Sequence, residues 1–258
     1  MVIRRIREHV VTHNWFAVGV DLAIVVLGVF IGTQANNWNE ARIERAAAAE
    51  SRNEIIDDLR RNEADLASRL AYYGAARTHA IAALDAMERP GEPAGAPFLL
   101  DAYQASQAWR PNLVRTGYDE MTGAGLTRRV GDRKTRERLT NYYTQSRQFE
   151  ATALGATAYR ERLRRAMPYD VQMAIKRQCP ERVTYLTDGS QIATLPDHCT
   201  VNLAPGTVAS ALARVRAAGL DEDLTRHVAD LDQKLAGFER FGRLAKELRL
   251  HLESLDRS

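Results

Sequence analysis

The sequence lacks the short motifs that mark a catalytic or nucleotide site. It contains no Gly-x-x-x-x-Gly-Lys-Ser/Thr loop, no Gly-x-Gly-x-x-Gly, no His-Glu-x-x-His and no Gly-x-Ser-x-Gly. The histidines, at 9, 13, 79, 198, 227 and 251, are scattered, and none pairs with another at metal-ligand spacing on a predicted extramembrane helix. Carboxylate runs such as Asp57-Asp58 and Asp221-Glu222-Asp223 read as solvated faces or helix starts. An active site would have to be assembled from carboxylates distant in sequence. The expectation is therefore a protein that is not an enzyme, with no cofactor and no catalytic or metal-binding residue to assign. A large charge of one sign is also missing. With 36 Lys plus Arg against 33 Asp plus Glu, the chain carries +3, both signs interspersed. That balance gives no nucleic-acid footprint.

Cysteine is scarce: Cys179 and Cys199 are the only two. Between them, RVTYLTDGSQIATL places two short β-prone runs around Asp188-Gly189, a hairpin signal. A hairpin brings its ends together, so in an oxidising compartment these thiols pair. The bond would be worth about 3 kcal/mol in the chain-entropy model. Two reduced thiols are the alternative. A metal site using Cys179, His198 and Cys199 is a third, and it lacks a Cys-x-x-Cys pair and an obvious fourth ligand.

Long apolar runs are absent except for one, WFAVGVDLAIVVLGVFIGTQANNWNE, which begins at Trp15. From Trp15 to Thr33 only Asp21 is charged. A bilayer core of about 30 Å needs about 20 apolar residues in a helix, and this run suffices. Trp15 and Trp38 stand about 35 Å apart along such a helix, the spacing of interfacial aromatic anchors. Arg4, Arg5 and Arg7 precede the span against Glu8 alone, which favours a cytoplasmic N-terminus. No small-x-small cleavage site adjoins the run, so it reads as a retained signal anchor rather than a cleaved signal. The expected organisation is a basic cytoplasmic tail over 1–14, a transmembrane anchor over 15–38 and an extracytoplasmic helical domain over 39–258 with the hairpin inserted at 179–199. In a bacterium this places the bulk in the periplasm, on the inner membrane.

Within the span, Asp21, Val25, Gly28, Gly32, Ala35 and Asn39 share one helix face. Gly28-x-x-x-Gly32 permits close approach of another helix. A charged side chain in lipid is costly, so Asp21 should face a partner helix or a water path, or snorkel to the headgroups. The partners expected are the membrane and other membrane-protein helices, in an oligomer or larger complex.

GVFIG followed by QANNWNEAR resembles the anchor of a widespread bacterial family of single-pass, N-terminally anchored helical proteins carrying a domain of unknown function. Thr116-Gly117-Tyr118-Asp119-Glu120-Met121, Gly123-Ala124-Gly125-Leu126, Leu139 and Tyr142-Tyr143 are similar to that family's middle segment. The resemblance covers roughly the first 150 residues and implies a helical body; it carries over no activity and no functional residue. The family's acid in the span is more often Glu, so Asp21 departs from it, and the segment between the cysteines is not a feature of the family.

Proline is absent from Ala41 to Arg89, and no breaker separates that stretch from the span, so one helix over about 14–88 is predicted. Leu59, Leu66, Tyr73 and Ala80 are spaced by seven, as in part are Ile56, Leu70, Arg77 and Leu84. Pro90-Gly91-Glu92-Pro93 ends the helix. Further helices are predicted over about 97–109, 133–167 with Asp132 as N-cap, 170–178, 205–218 and 221–255, with a helical turn over 118–126 and a break at Pro111. Leu224, Val228, Leu231, Leu235, Phe238, Phe241, Leu244 and Leu248 form the apolar side of the last helix. Tyr72-Tyr73 and Tyr142-Tyr143 read as half-buried bundle positions or the lining of a groove. The fold class is all-α: a transmembrane helix continuing into an elongated antiparallel helical bundle, with one small β-hairpin. The function this supports is a non-enzymatic scaffold or accessory subunit of a membrane complex. The alternatives are a subunit of an ion-driven machine with Asp21 protonatable, or a ligand-sensing extracytoplasmic bundle.

Overall fold

A computed structural model describes residues 15–88, 95–110, 112–153, 157–187, 189–196 and 198–255. The basic tail over 1–14, the break at 90–93, Pro111 and Asp188 lie outside the described residues.

The fold is all-α with one two-stranded hairpin. Helix α1 (Trp15–Glu88) is continuous over 74 residues, about 110 Å at 1.5 Å per residue. It is exposed over 18–40 and buried along one face farther on, from Ala48. Then follow α2 (Ala96–Ala105), α3 (Thr116–Gly123), a 3-10 turn (Leu126–Arg128), α4 (Arg133–Ala153), α5 (Ala158–Ala166) and α6 (Tyr169–Gln178). Strands β1 (Arg182–Tyr185) and β2 (Gln191–Thr194), α7 (Pro205–Ala217) and α8 (Asp221–Leu255) complete it.

Three long helices make the frame. Helix α8 runs antiparallel to α1, as cross-links along their length fix. Arg249 reaches Glu63 at 2.6 Å, the Tyr73 and Phe238 rings stack at 5.5 Å, and Arg77 pairs with Asp232. Helix α4 runs antiparallel to α8 in turn. Thr135 meets His251 at 2.8 Å near one end, and Phe149 packs on Phe241 at 4.6 Å near the other. The contact faces follow a seven-residue period. On α8, Leu224, Leu231, Phe238, Ala245 and Leu252 are all buried.

On α1 the expected row Leu59, Leu66, Tyr73, Ala80 is buried throughout. The second row is corrected by one position. The continuous buried row is Ile55, Asn62, Arg69, Ala76, Ala83; of the expected residues Ile56 is buried, whereas Leu70, Arg77 and Leu84 are only partly buried. Two of its members are polar: Asn62 is satisfied on both sides of its amide, while Arg69 is bonded through Nε and Nη2 and its buried Nη1 has no hydrogen-bond partner. Asn62 donates to Val114 O at 2.8 Å and accepts from Val114 N at 2.6 Å. Arg69 lies 3.3 Å over the Trp109 ring and bonds Asp65 at 2.9 Å.

Two other expectations are corrected. The helix over 97–109 is the shorter α2, ending at Ala105. The helix over 133–167 is two helices, because Thr157 caps a new one by accepting from the Arg160 N–H. Asp132 does cap α4, accepting from the Thr135 N–H at 2.8 Å.

The hairpin pairs Arg182 with Thr194 and Tyr185 with Gln191. Its turn spans Leu186 to Ser190, with Gly189 at φ +81°, left-handed backbone that glycine supplies without strain. Ala193 of β2 is buried, and that strand lies against α1. Cys179 and Cys199 are joined as a disulfide across the base, their Cα atoms 5.8 Å apart.

Candidate interaction face and its junction with the body

From Val18 on, the apolar stretch of α1 is exposed on every side among the described residues. It is the one helix among the described residues long and apolar enough to cross a membrane, and none of its apolar window is buried. Val25 is 61% exposed and Trp38 65%. Space beside Gly28 and Gly32 is open, with no atom within 4 Å of an added Cβ at either. Asp21, Val25, Gly28, Gly32, Ala35 and Asn39 therefore form an exposed stripe along a single continuous helix, and Trp15 is the first described residue of that helix. Local bonds keep the polar end of the run helical. Thr33 Oγ1 donates to Phe30 O at 2.8 Å, Asn36 Nδ2 donates to Glu40 at 2.8 Å, and the Arg42 guanidinium sits 6.0 Å over the Trp38 ring.

The body grips α1 just beyond. Helix α3 crosses it at Gly117, whose N–H donates to Asp58 Oδ2 at 2.7 Å. Asp58 is 1% exposed, with Arg61 at 3.3 Å. The reading of Asp57-Asp58 as a solvated face fails for its second member. Burial pushes the Asp58 carboxyl up, against the opposing pull of the Gly117 N–H and Arg61. Tyr118 stacks on Tyr143 at 4.2 Å, and Met121 is fully buried. Glu150 secures the same connection by accepting from the Leu113 N–H at 2.7 Å, and burial raises its pKa too. The tyrosine pairs 72–73 and 142–143 are core residues, at most 4% exposed, rather than half-buried or lining a groove.

One cleft of about 1090 Å³ opens between α4, α5 and α8, floored by Phe149, Tyr159, Gly237 and Phe241 and edged by Lys234 and Arg240. Burial lowers the Lys234 ammonium's pKa, and it rests 4.9 Å over the Tyr73 ring. No group of three or more His, Cys, Asp or Glu among the described residues is placed to hold a metal ion. Cys179 and Cys199 are taken up by their bond, and His198 is exposed beside it.

His227 is 5% exposed, stacked on Tyr159 at 4.9 Å, with Nε2 2.8 Å from Ala105 O. That contact puts the proton on Nε2 and leaves Nδ1 buried without a partner. Burial lowers its pKa, so the folded protein holds it neutral. For such a base, stability is complete above the unfolded value of about 6.5 and is lost as pH falls toward the folded value, by up to about 1.4 kcal/mol per unit. Asp58 and Glu150, raised by burial, act oppositely and gain stability as pH falls. The histidine's part is thus isolated by comparison: between pH 7.5 and 5.5 wild type should lose more denaturation free energy than H227Q. Equal losses would show that the ring titrates freely.

No family model matches this chain, and no curated protein or solved structure matches it either.

Proposed function

We propose that the protein is a non-enzymatic, membrane-anchored scaffold or accessory subunit of a membrane protein complex. In this reading the span lies in the bacterial inner membrane, the tail over 1–14 is cytoplasmic and the body is periplasmic, as in the single-pass family its anchor resembles. One observation carries it: α1 is a single helix that is exposed on every side over 18–40 among the described residues and whose remainder is the central element of the body's core. Whatever binds the Gly28/Gly32 stripe is thereby coupled, without a flexible joint, to the orientation of the body. Association in lipid relies on packing and polar contacts, and small residues in register supply the first.

Two measurements on the full chain in native membranes test this. Purification in mild detergent should retain a stoichiometric partner or a homo-oligomer. Single cysteines V25C, G28C and G32C should cross-link more than A23C, L27C and F30C on the opposite side of the helix. A monomer with no companion, together with equal cross-linking on both sides, overturns the proposal.

The cleft beside Lys234 favours a second reading, ligand sensing by the body. It would require a small amphipathic anion to bind the purified chain, and K234Q to weaken that binding.

A further inference from the structure

Beyond the span's packing face, the body carries a second surface aimed at the bilayer. The segment from the 3-10 turn into α4 is the part of the body tied lowest on α1. Arg129 pairs with Glu44, and Arg52 Nη1 donates to Val130 O at 3.3 Å. From Trp38 to Glu44 the helix rises only about 9 Å. The headgroup layer extends roughly 5–7 Å beyond the hydrocarbon on each side, and charges act over about 8 Å more at physiological salt. A long side chain on this segment therefore lies within reach of lipid phosphates whenever Trp38 sits at the interface.

The segment is basic and rigidly presented. Arg128, Arg129, Arg133 and Lys134 are exposed there. The acids of the segment itself, and Glu44 of α1, are engaged. Asp132 caps α4, with the Thr135 N–H and hydroxyl at 2.8 and 2.7 Å; Glu137 pairs with Arg133 at 2.8 Å; Glu44 pairs with Arg129. The backbone is pinned as well: Arg136 donates to Gly131 O at 2.9 Å, and Thr135 meets His251 at 2.8 Å. No ion pair engages Arg128 or Lys134 among the described residues. Arg42 and Arg45 add positive charge on α1 itself, at the same level.

We infer that this basic rim, built around Arg128, Arg129, Arg133 and Lys134, docks on the headgroups of anionic phospholipid and so fixes the tilt of the rod against the membrane. The inference rests on the span reading of α1. Each basic side chain near an anionic surface strengthens attachment about fivefold, an effect that falls off within a Debye length. With the span holding the rim at the surface, docking becomes an intramolecular equilibrium that a few such side chains can shift.

The test uses the full chain, its native disulfide intact, with a fluorophore on A124C, an exposed position beside the rim. It is reconstituted into nanodiscs of phosphatidylcholine alone or with about one third phosphatidylglycerol, each doped with headgroup-labelled quencher lipid. Docking predicts quenching several-fold stronger with phosphatidylglycerol, reversed by high salt and lost in R128E/K134E but kept in R128K/K134R. Equal quenching in the two lipids overturns it. So does absence of quenching in both while the chain still floats with carbonate-washed vesicles, a result that leaves the anchor standing. A chain that carbonate releases from vesicles of either composition sinks the span reading and the docking together.

Discussion

Phe238→Ala is expected to destabilise the body by about 3–5 kcal/mol, the range for deleting a large buried aromatic side chain. The ring is 1% exposed and joins all three frame helices, stacked on Tyr73 of α1 at 5.5 Å and edge-on to Phe149 of α4 at 5.2 Å, from its place on α8. Its loss removes the transfer term, leaves a cavity that three helices would have to close together, and ends two aromatic contacts worth about 0.5–1.5 kcal/mol each. The melting temperature of the body, followed by helical circular dichroism of the full chain in detergent, should fall by roughly 10 °C. Phe238→Leu should recover more than half of the loss, since it keeps much of the volume. Phe30→Ala, at a span position 57% exposed, should leave the body's transition where it is. A loss below about 1 kcal/mol for Phe238→Ala would mean that α4 is not packed where the rings place it.

Much of this arrangement was legible in the sequence, because period and punctuation carry the information for helices. The unbroken run from the span into the stalk follows from the absence of proline, and Asp132 and Gly219 mark element boundaries where helices do start and stop. The hairpin and its closing cysteines follow from β-prone runs about a turn. What stayed hidden is polar. The row Ile55, Asn62, Arg69, Ala76, Ala83 is interrupted by polar residues at Asn62 and Arg69, so by composition the neighbouring row through Ile56 and Leu70 is the more apolar. Asn62 and Arg69 are buried because loop carbonyls and an indole ring come to meet them, and those partners lie far along the chain. Asp58 was hidden for the same reason: its partner, the Gly117 N–H, is 59 positions away. The start of α5 at Ala158 is hidden in the sequence because the apolar pattern continues through Tyr159 and Leu163, while in the fold Thr157 caps a new helix. For the interaction face, composition placed the stripe on one side of a helix, but that the whole stripe stands clear of the body required the structure.

Helix α3 is where the body is seated on α1, and one methyl group tests that seat. A Cβ at Gly117 would stand 2.8 Å from the backbone carbon of Glu54 and 2.8 Å from the nitrogen of Ile55. Neither is a side chain that can swing away, so α3 must lift off α1. Lifting also lengthens the 2.7 Å bond from the Gly117 N–H to Asp58 and leaves a buried carboxylate with little beyond Arg61. Overpacking costs about 1–3 kcal/mol, and a buried acceptor left short of its donor costs about 1–3 kcal/mol more. Gly117→Ala should therefore lose about 2–6 kcal/mol in chemical denaturation of the full chain. Gly74→Ala makes the same chemical change in the interior of α1, where nothing lies within 4 Å of the added methyl. It should gain about 0.5–1 kcal/mol, because alanine gives up less backbone freedom in a helix. The two substitutions are expected to move stability in opposite directions. If both stabilise, α3 is not seated on α1, and the grip that couples the span to the body would have to lie elsewhere.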